Sequence, residues 1–171
     1  MKWVALLRGV NLGARNKVPM AELRERLEAE GYESVRTYIA SGNVFLDGPR
    51  ARARLARELE RLVADAFGVK TTAILRTPRE LAASVAAHPF GAKTSETHVA
   101  FLSARPAKAA AARLAEIDDA VLEGADLFLR LPHGVHGSRL SIARIESLLG
   151  VSATLRNWRT VVALAEFAAE A

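Results

Sequence analysis

Arg8, Asn11, Arg15, Asn16 and Lys17 follow one apolar run, and Ser41 and Asn43 flank Gly42 in a second short polar segment. Cations beside amides and a hydroxyl are the donors an anion needs. They gain strength next to a helix N-terminus, where free backbone N–H groups and the macrodipole both favour negative charge. The same residues also suit loop architecture, because Asn and Gly supply left-handed turn conformations and Ser and Asn bond their own backbone. Both uses stand at this point.

A second cluster is Arg156-Asn157-Trp158, inside Thr154–Thr160. Asn157 can cap a following helix, with Thr160 three residues on. Trp158 can pack or contribute to a binding surface, and Arg156 can serve an ion pair, a cation–π contact or a ligand. His133 and His136 are three apart, but in a glycine-containing loop with no third ligand nearby, so no metal site is expected. His88 and His98 are isolated and read as structural. Gly91-Ala92-Lys93-Thr94 lacks the Gly-Lys adjacency of a phosphate loop. No G-x-S-x-G elbow, G-x-G-x-x-G fingerprint or obvious carboxylate pair is present, and no cofactor is expected.

Composition narrows the class. The chain has 171 residues, half of them apolar and 25% charged, enough for an ordered core. The absence of cysteine rules out disulfides, thiolate metal sites and a cysteine nucleophile, and makes a cytoplasmic address the default expectation. Met1–Arg8 is too short for a signal segment, and no apolar run approaches a membrane span, so neither secretion nor membrane insertion is expected. Residues 1–76 carry 14 Lys and Arg against 9 Asp and Glu, whereas residues 77–171 carry 10 of each. The whole net charge of +5 therefore lies in the first half, which favours an anionic partner there.

The elements that must position these residues follow from periodicity. Trp3–Leu7 reads as a buried strand and Gly9–Val18 as a loop. Pro19 opens a helix with Met20, Leu23 and Leu27 on one face and Gly31 beyond it. The alternation through Val35, Thr37 and Ile39, the turn at Ala40–Asn43, and Val44–Leu46 make a hairpin. A helix on Leu55, Leu59, Leu62, Val63, Ala66 and Phe67 stops at Gly68, and Val69–Leu75 returns as a strand. Thr77-Pro78-Arg79-Glu80 is a capping box that starts a connecting helix ending near His88-Pro89.

The order then repeats. Val99–Leu102 echoes Val4–Leu7, Leu114 and Ile117 mark a helix, and Ala120–Glu123 with Leu127–Leu131 turn about Gly124. Ser138–Leu149 reads as a helix, Ala153–Leu155 as a short strand, and a terminal helix starts near Asn157. The expected fold is α+β, a tandem of two ferredoxin-like (βαββαβ) subdomains with a C-terminal helix. Its divisions are 1–76, a connecting helix and loop over 77–96, and 97–171. Right-handed crossovers in such a unit bring Arg8, the start of the first helix and the Ser41-Gly42-Asn43 turn to one sheet edge.

Leu7-Arg8-Gly9-Val10-Asn11, Asn16–Met20, Tyr38–Val44 and Arg156-Asn157-Trp158 with Thr160-Val161, in this order, resemble a bacterial family known as domain of unknown function sixteen-ninety-seven. The resemblance runs over nearly the whole chain. It implies two ferredoxin-like subdomains and no known activity. The chain departs from the family pattern at His88-Pro89-Phe90, where Asn-Pro-Phe is expected, and at Thr154-Leu155 before Arg156.

Three functions are compatible with these observations. The first is binding of an anionic small molecule or nucleic acid through Arg8, Asn11, Asn16, Lys17, Ser41, Asn43, Arg156, Asn157 and Trp158. The second is an enzyme acting on a phosphorylated or carboxylated small molecule, with Ser41 or a histidine handling protons. The third is an interaction protein in which the motifs only maintain the fold. Arg156-Asn157-Trp158 is expected to approach the first-half cluster across the junction. The sequence sets no oligomeric state.

Overall fold

The computed structural model describes residues 1–114, 117 and 119–170. They form two compact units, Met1–Glu80 with Glu166–Ala171, and Leu81–Ala165.

In the first unit the order is β1 (Lys2–Leu7), α1 (Met20–Ala29), β2 (Glu33–Tyr38), β3 (Asn43–Asp47), α2 (Arg52–Phe67) and β4 (Ala73–Arg76). The strands lie in the order β2-β3-β1-β4, and every neighbouring pair is antiparallel. Trp3, Ala5 and Leu7 share a core with Leu23 and Leu27 of α1 and Leu55, Leu59 and Val63 of α2. Burying one such large side chain contributes roughly 1.5–3 kcal/mol. The helices are therefore held by their apolar stripes. Gly68 ends α2 in the left-handed conformation its position demands.

The chain continues through α3 (Pro78–Ala86), whose capping box forms as read: Glu80 N–H donates to Thr77 Oγ1, and Thr77 N–H donates to Glu80 Oε2. In the second unit come β5 (Thr97–Leu102), α4 (Lys108–Ala112), β6 (Ala120–Glu123), β7 (Asp126–Arg130), α5 (Ile142–Leu149) and β8 (Ala153–Asn157), followed by α6 (Trp158–Ala169). The second sheet repeats the first, β6-β7-β5-β8. Ala5 lies opposite Val44 and Leu75, and Ala100 opposite Leu127 and Leu155. The N–H of Ala73 donates to Glu60, and that of Ala153 to Glu146. The echo of four apolar residues is thus carried into register and hydrogen bonding.

Four element boundaries differ from the sequence reading. The strand expected over Val69–Leu75 begins at Ala73, because Leu7↔Ala73 is the last pair β1 can offer. The helix expected from Ser138 begins at Ile142, after a 3-10 turn at Val135–Gly137, because Ser141 Oγ accepts from Arg144 N–H and caps it. The helix marked by Leu114 and Ile117 is Lys108–Ala112, and Leu114 is buried in the turn after it; residues 115, 116 and 118 lie outside the described residues. Ile39 does not extend the alternation of β2. It leaves the strand with φ 50° and is exposed.

Candidate functional site

The end of β1 is anchored on both sides. Leu7 N–H donates to Gly42 O at 2.8 Å, Arg8 N–H to Thr72 O at 2.9 Å, and Thr71 Oγ1 to Arg8 O at 2.7 Å. The 8–19 loop, the 39–42 turn and the segment entering β4 therefore meet at one edge, as strand direction requires. Arg8, Asn11, Asn16, Lys17, Ser41 and Asn43 are all brought to this edge.

The asparagines build the loop. Asn11, left-handed at φ 52°, donates from Nδ2 to Val18 O at 2.9 Å and to Ala40 O at 2.7 Å, and its Oδ1 accepts from Val18 N–H at 2.8 Å. Both of its donors are thereby used. Asn16, also at φ 52°, donates to Gly9 O, and its carbonyl accepts from Asn11 N–H. Asn43 is fully buried and closes the hairpin, with Nδ2 donating to Tyr38 O and to Ser41 Oγ, both at 3.0 Å. Architecture accounts for these three residues.

What faces solvent is a different set. A groove of about 490 Å³ runs between Asn11, Lys17, Val18, Pro19 and Met20 on one wall and Thr37, Ile39 and Ala40 on the other. Lys17 is exposed and has no partner among the described residues. Pro19 is the N-cap of α1 and no side chain caps the helix, so first-turn N–H groups are left for another acceptor. Lys70 enters on the segment bonded to Arg8. The sequence reading missed Lys70 and Ile39. Lys70 could have been found from its charge together with the absence of any Asp or Glu in residues 1–21 and 68–72.

Arg156, Asn157 and Trp158 lie in the second unit and have local partners. Arg156 is buried; its Nη1 donates to Thr154 Oγ1 at 2.8 Å and Leu155 O at 2.9 Å, and burial pulls its guanidinium down to about 10. Asn157 Oδ1 accepts from Thr160 N–H at 2.9 Å and caps α6. Trp158 packs against His88 with the rings tilted by 50° and centroids 4.2 Å apart, and meets Phe128 at 6.5 Å. Thr97 Oγ1 gives its proton to Lys93 O, so the 2.9 Å contact with His88 Nε2 requires that nitrogen to be the donor. Burial lowers the pKa of His88, favouring this neutral tautomer. Among the described residues no group of three His, Asp or Glu side chains is placed to hold a metal ion, and no helix is long and apolar enough to cross a membrane.

A family model described as "Protein of unknown function (DUF1697)" matches residues 1–126. A solved structure, that of the conserved bacterial protein SP0830 from Streptococcus pneumoniae, is similar with a TM-score of 0.76 at 22% identity, over 98% of each chain. At that identity the likeness speaks to the fold. No curated protein matches the chain.

Proposed function

We propose, for a chain that belongs to the DUF1697 family of proteins of unknown function, that each unit is a ferredoxin-like subdomain and that the loop edge of the first holds an anionic, nucleotide-like small molecule. The observation that carries the reading is the uncapped start of α1 opening into a groove beside Lys17. The segments that form the edge, residues 8–21, 39–43 and 68–72, contain Arg8, Arg15, Lys17 and Lys70 and not one carboxylate; Glu22 in the first turn of α1 and Glu60, which accepts from Ala73 N–H, lie just beyond them. Lys17 and the helix N–H groups hold the anion, while Val18 and Met20 support an apolar portion of the ligand.

Two alternatives fit less well. An RNA platform needs an open sheet, yet Val4, Leu6, Phe45 and Ile74 are each 3% exposed or less. A catalytic site needs a proton carrier, and Lys17 is the one ionisable side chain among the described groove residues.

Calorimetric titration with pyrophosphate and adenosine monophosphate tests the reading. Lys17→Ala weakens binding roughly tenfold, corresponding to about 1.4 kcal/mol, while Asn157→Ala leaves it unchanged. Absence of binding to both probes at low salt, or equal loss in the two variants, removes the site.

A further inference from the structure

We propose that this edge docks on an anionic lipid bilayer; the inference rests on the anion site proposed above and takes a lipid headgroup phosphate, rather than a free nucleotide-like molecule, as its occupant. The Asn11 Nδ2–Ala40 O hydrogen bond, 2.7 Å long, staples the loop to the turn. Leu12 follows one end of that staple and Ile39 precedes the other. Both side chains are held out in water, 63% and 50% exposed, and they are two of the five large apolar residues so exposed among the described residues.

Ile39 is the more telling of the two. A β-branched residue at φ 50° is strained, and Asn or Gly would make the same turn without strain. Turn geometry alone therefore does not call for an isoleucine. Presentation of an apolar side chain to a partner does.

Charge supplies the second half of the argument. Arg15 N–H bonds Leu12 O, Lys17 lines the same groove as Ile39, and Arg8 and Lys70 stand on bonded backbone behind them, with no carboxylate in these segments. An apolar tip on an edge whose segments carry cations and no carboxylate matches the bilayer interface, where acyl chains take the tip and anionic headgroups the cations. A soluble anion in the groove would leave Leu12 in water, and so would a nucleic-acid backbone.

Co-sedimentation with phosphatidylglycerol/phosphatidylcholine vesicles, against phosphatidylcholine alone, tests the proposal, with pyrophosphate titration run in parallel. The protein pellets with the anionic vesicles, and binding weakens as salt rises from about 50 to about 500 mM, because the Debye length contracts. Leu12→Ser/Ile39→Asn weakens vesicle binding roughly tenfold or more, and Leu12→Ser, at a position outside the groove, leaves pyrophosphate binding unchanged. Asn tolerates the left-handed position, so the fold is kept; Leu12→Ser alone gives a smaller loss in the same direction. Pyrophosphate binding without vesicle binding overturns the membrane proposal and spares the anion site. Vesicle binding indifferent to the double substitution also overturns it, as does tighter binding to a DNA duplex than to vesicles at equal salt. Failure of both assays rejects both readings.

Discussion

Arg76 and Arg156 stand at the same register of the two sheets, Arg76 opposite Val4 and Arg156 opposite Val99, and each sends Nη1 to the carbonyl of the preceding leucine. Both are buried. Across β1 and β5 from them lie Phe45 and Phe128, again in equivalent places. A charged side chain kept out of water in both units marks a position where the fold depends on its donors.

Arg156→Ala strands Thr154 Oγ1 and Leu155 O and opens a cavity. A cost of about 2–5 kcal/mol is expected, and Arg76→Ala should cost a similar amount. Urea unfolding checks this, with the exposed Arg159→Ala as a control that stays within about 0.5 kcal/mol. A loss of less than about 1 kcal/mol in both buried variants would show that these arginines are dispensable to the fold.

Gly42 and Gly9 separate crowding from backbone strain. Both have left-handed φ, +81° and +70°. A Cβ at Gly42 would sit 2.5 Å from Val10 Cγ2 and 2.9 Å from Leu7 Cβ, whereas one at Gly9 meets nothing within 4 Å. Gly9→Ala should cost about 1–2 kcal/mol for conformation alone, and Gly42→Ala a further 1–3 kcal/mol for overpacking. Equal denaturation midpoints for the two variants would contradict the close approach of the turn to β1.

Much of the first unit was legible in sequence because its signals are local. Pro19 before α1, Gly68 after α2 and the Thr77–Glu80 capping box each sit within a few residues of the boundary they set. The second unit was read less well. The helix read from Ser138 starts at Ile142 because Ser141 Oγ takes the Arg144 N–H, and β4 was shortened by where β1 ends, which no window of β4 contains. The site divided in the same way. The loop after β1 and the turn before β3 lie where they were read, but that Asn11 and Asn43 spend their amides on backbone carbonyls is a matter of side-chain direction. The packing of Phe167 on Tyr38 and Phe45, with centroids at 5.0 and 6.1 Å, joins residues far apart in the chain, which no local pattern shows.

His88 and His98 make stability depend on mildly acid pH. Burial lowers the pKa of each below its ordinary 6.5, and in His98 it outweighs the upward pull of a hydrogen bond with the Glu96 backbone. The unfolded chain then takes up protons before the folded one does. Their stabilising contribution is full above pH 6.5 and is lost as pH falls from there toward the depressed folded values. The urea midpoint should be lower at about pH 5.5 than at about pH 7.5, a range above ordinary carboxylate titration. His98→Gln should flatten that difference. A midpoint unchanged over this range would refute the assignment.

Asn11→Asp is an isosteric test of the loop staple. The substitution keeps the acceptor for Val18 N–H but turns a donor aimed at Val18 O and Ala40 O into an anionic oxygen facing two carbonyls. At neutral pH it should be at least as damaging as Asn11→Ala, which loses all three bonds and costs about 2–4 kcal/mol. Protonation would return one donor to the new carboxyl, so its folded pKa is raised above the usual aspartate value of about 3.9. A raised folded pKa means stability present at low pH and lost as pH rises through the folded value. Relative to wild type, Asn11→Asp should therefore recover stability as pH falls through about 4–5, whereas Asn11→Ala should not. Thermal unfolding of the three proteins between about pH 4 and pH 7 reads this directly. If both variants stay within about 0.5 kcal/mol of wild type throughout, the staple does not hold the loop, and the placement of Leu12 beside Ile39 loses its support.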